Sequence, residues 1–128
     1  MAIKYKKIKQ TVKDKNGDEK AIYYARSCKR NIVSLDQIAE RIAGYTTLSR
    51  GEVHGVLYAL ADTIPQYLLD NESVELGDLG ILSLHLSSQS EEKEEDVTWR
   101  SIKELKVQFR ASKRIKKQLK NASFKLVK

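Results

Sequence analysis

Two helix starts written close together constrain this chain more than any other feature. Ser34 with Gln37, and Ser49 with Glu52, are capping boxes. In each, the serine oxygen satisfies a free backbone N–H while the Gln or Glu reaches back to the serine's own N–H. Behind the first, Leu35, Ile38, Ala39 and Ile42 fall at i, i+3, i+4, i+7, one face of a helix. Gly44 stands where a C′ glycine would end it. Behind the second, Val53, Val56, Leu57, Leu60, Ile64 and Leu68 share a stripe, predicting a helix to about Asp70. Pro65 inside it removes one donor and should bend it. A helical hairpin follows.

The flanks read as strands. Residues 2–8 alternate apolar and cationic side chains, and residues 21–26 (Ala-Ile-Tyr-Tyr-Ala-Arg) read as a second strand. Asp14, Asn16, Gly17 and Asp18 between them give hairpin turn chemistry. After the helices come a short strand at 73–76 and a turn, Gly77-Asp78-Leu79-Gly80. A strand over 81–87 follows, with Leu82, Leu84 and Leu86 on one face. Residues 87–96 are polar and acidic, a loop or flexible tip. A return strand is predicted from near Val97, resuming over 105–109. Residues 112–121 read as a short basic helix, and the tail Ala-Ser-Phe-Lys-Leu-Val has the pattern of one more strand. The fold class is therefore α+β, with an N-terminal β-hairpin extension over 1–33 and a main domain over 34–128.

Charge is segregated along the chain. Residues 1–33 carry +7, residues 34–90 carry −6, residues 91–96 carry −4, and residues 97–128 carry +10. Such polarity suits a polyanion binder, although basic solubility alone would give the same sum. Enzyme chemistry is not expected. His54, His85 and Cys28 have no metal-ligand spacing. No phosphate-cradling glycine loop and no nucleophile elbow occurs. The carboxylates of 91–96 sit on a loop rather than in a shaped pocket. No cofactor, metal or small-molecule substrate is expected. One cysteine excludes an intramolecular disulfide, and the first residues lack an apolar leader core. No run approaches the ~18 apolar residues of a membrane span. The expected location is cytoplasmic.

Three ordered motifs carry a resemblance. Leu35-Asp36-Gln37-Ile38-Ala39 followed by Thr47-Leu48-Ser49 looks like a first helix and its "T-G-L-S" link. Val74-Glu75-Leu76-Gly77-Asp78-Leu79-Gly80 looks like a "V-x-L-x-G-F-G" turn before a two-stranded arm. Phe109-Arg110-Ala111-Ser112-Lys113-Arg114-Ile115-Lys116 looks like an "F-x-A-G-K-x-L-K" helix start. Together they resemble the HU/IHF histone-like DNA-binding family, in the HU-related subgroup with an N-terminal extension. The resemblance implies a bacterial, nucleoid-associated protein that condenses double-stranded DNA with low sequence specificity. It also implies an intertwined homodimer whose sheets form a saddle under the DNA, with minor-groove contact by the arms.

Carried over by position, Arg110, Lys113 and Lys116 match the phosphate-contacting helix start; Arg114 and Lys117 beside them, and Arg100, Lys103 and Lys106 on the return arm, are further DNA-binding candidates. A solvated basic face explains each singly; the cluster favours DNA. The implied dimer interface takes Leu57, Leu60, Ile64, Leu68, Leu82 and Phe109.

The chain also departs from the family. The arm tip carries Glu91, Glu92, Glu94, Glu95 and Asp96 where the family has Arg-Asn-Pro, so the wedging proline is missing. Trp99 is nearby and is expected to pack on the arm base. Weaker binding and less bending are therefore expected. A second reading stays open: a protein-interaction or scaffold module that kept the fold and lost DNA bending. Lys4, Lys6, Lys7 and Lys9 either widen the basic surface or belong to strands that cover a sheet edge.

Overall fold

The structure, a computed structural model, describes residues 2–128; Met1 lies outside them. It is α+β, with three helices and two three-stranded sheets. The chain divides into two units. One runs up to Ile32 and resumes over Gln118–Lys128; the other is Val33–Lys117.

In the first unit, β1 (Ile3–Lys13) and β2 (Glu19–Ser27) pair antiparallel from Tyr5 opposite Ser27 to Lys13 opposite Glu19. Both strands run longer than their apolar patterning indicates. The turn explains the register. The Asp14 carboxylate accepts the N–H of Asn16 at 2.9 Å and of Asp18 at 3.0 Å, and Gly17 takes φ 84°, a left-handed conformation that costs glycine least. The C-terminal strand β6 (Phe124–Leu126) pairs parallel to β1, with Ile3 opposite Phe124 and Tyr5 opposite Leu126. A lone hairpin is marginal in water, and the third strand leaves β1 hydrogen-bonded on both edges.

In the second unit, α1 (Leu35–Gly44) and α2 (Arg50–Leu69) both begin at complete capping boxes. Ser34 Oγ accepts the Gln37 N–H at 3.2 Å, and Ser49 Oγ accepts the Glu52 N–H at 3.2 Å. Gly44 is not the C′ residue. It lies inside α1, and Tyr45 caps with φ −125°, so no left-handed residue is needed there. The Thr46 hydroxyl closes the end by donating to Ile42 O at 2.9 Å. α2 continues through Pro65 as one helix. His54 Nε2 lies 3.3 Å from Asp36 Oδ1, tying α2 to α1.

The second sheet runs β3 (Val74–Glu75), β4 (Gly80–Ser88), β5 (Ile102–Ala111), all antiparallel. The return strand does not begin at Val97. Residues 94–101 form two short 3-10 turns instead, the second capped by Thr98. The basic helix α3 is Lys113–Leu119.

The core is small. Among the described residues the buried apolar side chains are Ala39, Val53 and Leu68. The accessible surface is 11872 Å². A compact monomer of 14.6 kDa exposes about 6,900 Å², and two separately compact units of these lengths about 8,200 Å². The single chain therefore leaves apolar surface in water that folding would ordinarily cover.

Candidate nucleic-acid interface

The β4–β5 register sorts this sheet into two unlike faces. Leu82 stands opposite Phe109, Leu84 opposite Val107, and Leu86 opposite Leu105. Because side chains alternate along a strand, the intervening pairs share the other face: Ile81 with Arg110, Ser83 with Gln108, and His85 with Lys106. One face is thus wholly apolar. The other offers Arg110, His85 and Gln108 around a depression of about 230 Å³, lined also by Ser73, Ile81 and Ser83, with Lys106 on the same face but outside that lining.

The turn before the arm locks the start of α3 beside that polar face. Gly77 and Gly80 take φ 58° and 146°. Ser112 N–H donates to Leu79 O at 3.1 Å, its hydroxyl donates to Asp78 O, and its oxygen accepts the Ile115 N–H at 3.2 Å. Arg114 Nη1 then reaches Asp78 Oδ2 at 3.0 Å. The structure so gathers Arg110, Lys113, Arg114 and Lys116 around one open depression of about 460 Å³. Lys117 is exposed on the same helix but outside that depression's lining. Arg114 is already paired, and Lys106 lies 3.9 Å from Glu104. Both are more than half exposed, so these pairs yield readily to a phosphate.

The arm tip is folded rather than loose. Ser101, 2% exposed, donates to Glu91 Oε1 at 3.1 Å and accepts the Thr98 N–H at 3.2 Å. Gln89 Nε2 also donates to Glu91 Oε1, at 2.8 Å. The remaining acids, Glu92, Glu94, Glu95 and Asp96, face water. Trp99 does not pack on the arm base. It is 75% exposed, with the Arg100 guanidinium 5.3 Å from its ring centroid. Lys103 falls at the register shift between Ser87 and Ser88 and has no cross-strand partner.

The residues proposed for self-association divide. Leu57, Leu60, Ile64 and Leu82 are half-buried, and Phe109 is 53% exposed. Leu68 is already buried within its own chain. Val56, part of the α2 stripe, is exposed, and the structure adds Tyr58, Tyr67 and Leu69 as exposed apolar side chains that the stripe-based reading passed over. No helix among the described residues is long and apolar enough to cross a membrane. No group of metal-ligating side chains occurs among them either.

A family model described as "HU domain fused to wHTH, Ig, or Glycine-rich motif" matches residues 1–126. No curated protein matches the chain. Among solved structures, the chain is similar to a candidate bacterial DNA-binding protein from Bacteroides vulgatus ATCC 8482. That likeness has a TM-score of 0.65 at 13% identity, over 98% of this chain and 48% of that one. The chain spans about half the length of that relative, and at this identity the likeness is one of fold.

Proposed function

The chain belongs to the HU-HIG family of HU domains fused to a wHTH, Ig or glycine-rich motif, and from that premise we propose that it binds double-stranded DNA through phosphate contacts, with low sequence specificity, as a homodimer. The observation that carries this reading is the two-faced β4–β5 sheet. Its polar face continues into the depression where Arg110, Lys113, Arg114 and Lys116 outnumber the two carboxylates of the lining, Glu75 and Asp78. These four are long cations able to reach phosphates, and phosphate contacts carry no sequence information by themselves. Its apolar face, with Leu86, Leu105, Val107 and Phe109 all more than half exposed, calls for a cover. A second copy supplies a self-complementary one.

Removal of the depression's cations tests the reading. The variant Lys113→Glu/Lys116→Glu should lose most affinity for a mixed-sequence duplex, and parent binding should weaken steeply between about 50 mM and 200 mM salt. Unchanged affinity in the variant would refute phosphate contact by α3.

One observation favours a second reading, a protein-interaction module. Val33–Lys117 carries eleven Lys and Arg against fourteen Asp and Glu, a net of −3. Salt-independent behaviour, with the acidic arm tip retaining a basic protein, would support it.

A further inference from the structure

The chain's positive excess does not lie in the unit that carries the helical hairpin. The first unit holds thirteen Lys and Arg against three Asp and Glu, a net of +10. Among the described residues, none of those thirteen cations forms an ion pair with a carboxylate; the Lys and Arg pairs found, Lys106–Glu104 and Arg114–Asp78, lie in Val33–Lys117. So high a charge on so few residues repels itself, and a bound polyanion relieves that repulsion.

The register shows where such a ligand would lie. On the odd-numbered face of β1, Lys7, Lys9, Thr11 and Lys13 stand in a row opposite Ala25, Tyr23, Ala21 and Glu19 of β2. The lysines stand beside a low floor of alanines, and every residue of the row is exposed. Alternate residues on a strand are about 6.6–6.8 Å apart, a separation comparable to that of successive phosphates along a nucleic-acid strand. Tyr23, 70% exposed and opposite Lys9, adds a ring and a hydroxyl at the centre of the row. The single acid on this face, Glu19, sits at its far end against Lys13 and pairs with no cation.

We propose that this sheet face is a second DNA-backbone site, in which Lys7, Lys9 and Lys13 track the phosphates of one strand of a duplex and Tyr23 contacts it between them. The site goes beyond the function proposed above, because it lies outside Val33–Lys117 and its contribution is separable from that of α3. β1 is the central strand, hydrogen-bonded to β2 and β6, so its lysines stand on a sheet face rather than at an edge.

The test compares full-length variants on one mixed-sequence duplex over a salt series. Lys7→Gln/Lys9→Gln/Lys13→Gln should bind at least about tenfold more weakly than the parent at low salt, and the slope of log affinity against log salt should flatten by about 2.7 for three lost phosphate contacts. A second variant, Ala21→Glu/Ala25→Glu, keeps the lysines and sets carboxylates opposite Thr11 and Lys7. It should weaken binding in the same way, and all three substituted chains should keep the parent's circular dichroism. The third is Lys113→Glu/Lys116→Glu. Loss of binding in that variant, with parental affinity and slope in the two sheet variants, overturns the second site and leaves the α3 reading standing. Loss in the sheet variants with retention in the α3 variant supports the second site and removes the α3 reading. Displacement of the duplex by polyglutamate as readily as by unlabelled duplex would also overturn it, because any polyanion would then serve.

Discussion

Ser101 and Glu91 hold the tip of the arm closed: the serine hydroxyl donates to Glu91 Oε1 across 3.1 Å while its oxygen accepts the Thr98 N–H. A side chain 2% exposed thus takes one carboxylate out of the acidic cluster and turns it inward. Replacing Ser101 by Ala leaves the Thr98 N–H without its acceptor and Glu91 Oε1 with Gln89 as its remaining donor, at a local cost of about 1–2 kcal/mol. The bonds involved all lie within residues 89–101, so the loss is expected in local rather than global unfolding. Amide hydrogen exchange in residues 89–101 should accelerate roughly tenfold, with the melting temperature nearly unchanged. Parental exchange there would mean that the tip is held by something else.

Trp99 is the chain's one tryptophan, so its fluorescence reports the arm tip alone. At 75% exposure in the free chain it should be quenched freely by acrylamide and emit as a hydrated indole. If the arms contact DNA, added duplex should shield it and shift the emission to the blue. Trp99→Ala should leave stability within about 0.5 kcal/mol, as for surface substitutions generally. Quenching that is equal with and without saturating duplex would place the arm tip off the DNA, which the exposed acids beside it would then explain.

Gly77 and Gly80 flank the same turn but should respond differently to alanine. At Gly77, φ is 58° and a Cβ would meet nothing within 4 Å, so the cost is backbone strain alone, about 1 kcal/mol. At Gly80, φ is 146° and a Cβ would stand 2.2 Å from Arg110 O. The β4–β5 ladder would have to part where Arg110 is set. Gly80→Ala should therefore destabilise by several times the Gly77→Ala effect and carry DNA affinity down with it. Equal urea midpoints for the two variants would contradict this.

What the sequence made legible follows from how local each determinant is. Ser34, Gln37, Ser49 and Glu52 cap their own helices, so both starts could be read to the residue. The end of α1 could not, because Tyr45 and Thr46 close it with bonds that leave no glycine signature. β6 was legible as a strand in the tail but its pairing was not, since its partner β1 is distant in sequence. A return strand was read from near Val97, whereas the Thr98–Ser101 cap governs that segment. Among the site residues, Arg110, Lys113, Arg114 and Lys116 were legible by motif and the structure gathers them. The lysine row of β1 could have been found from its alternation alone, but its alanine floor depends on a register set by the Asp14–Asp18 turn.

Val107 distinguishes a lone chain from a dimer. In the single chain it is 58% exposed, opposite Leu84 on the apolar face of β4–β5. Were that face solvated in solution, Val107→Lys would change stability by no more than about 0.5 kcal/mol. Covered by a second copy, the same position would bury an unpaired ammonium and lose a well-packed isopropyl group, a penalty of several kcal/mol. Dimerisation also links stability to concentration, so the parent's melting temperature should rise with protein concentration and the variant's should not. Sedimentation should show the parent at twice the chain mass of 14.6 kDa and the variant shifted toward the monomer. A parent that sediments as a monomer, with a melting temperature independent of concentration and unmoved by Val107→Lys, would remove the dimer. The 11872 Å² of exposed surface would then need a different cover.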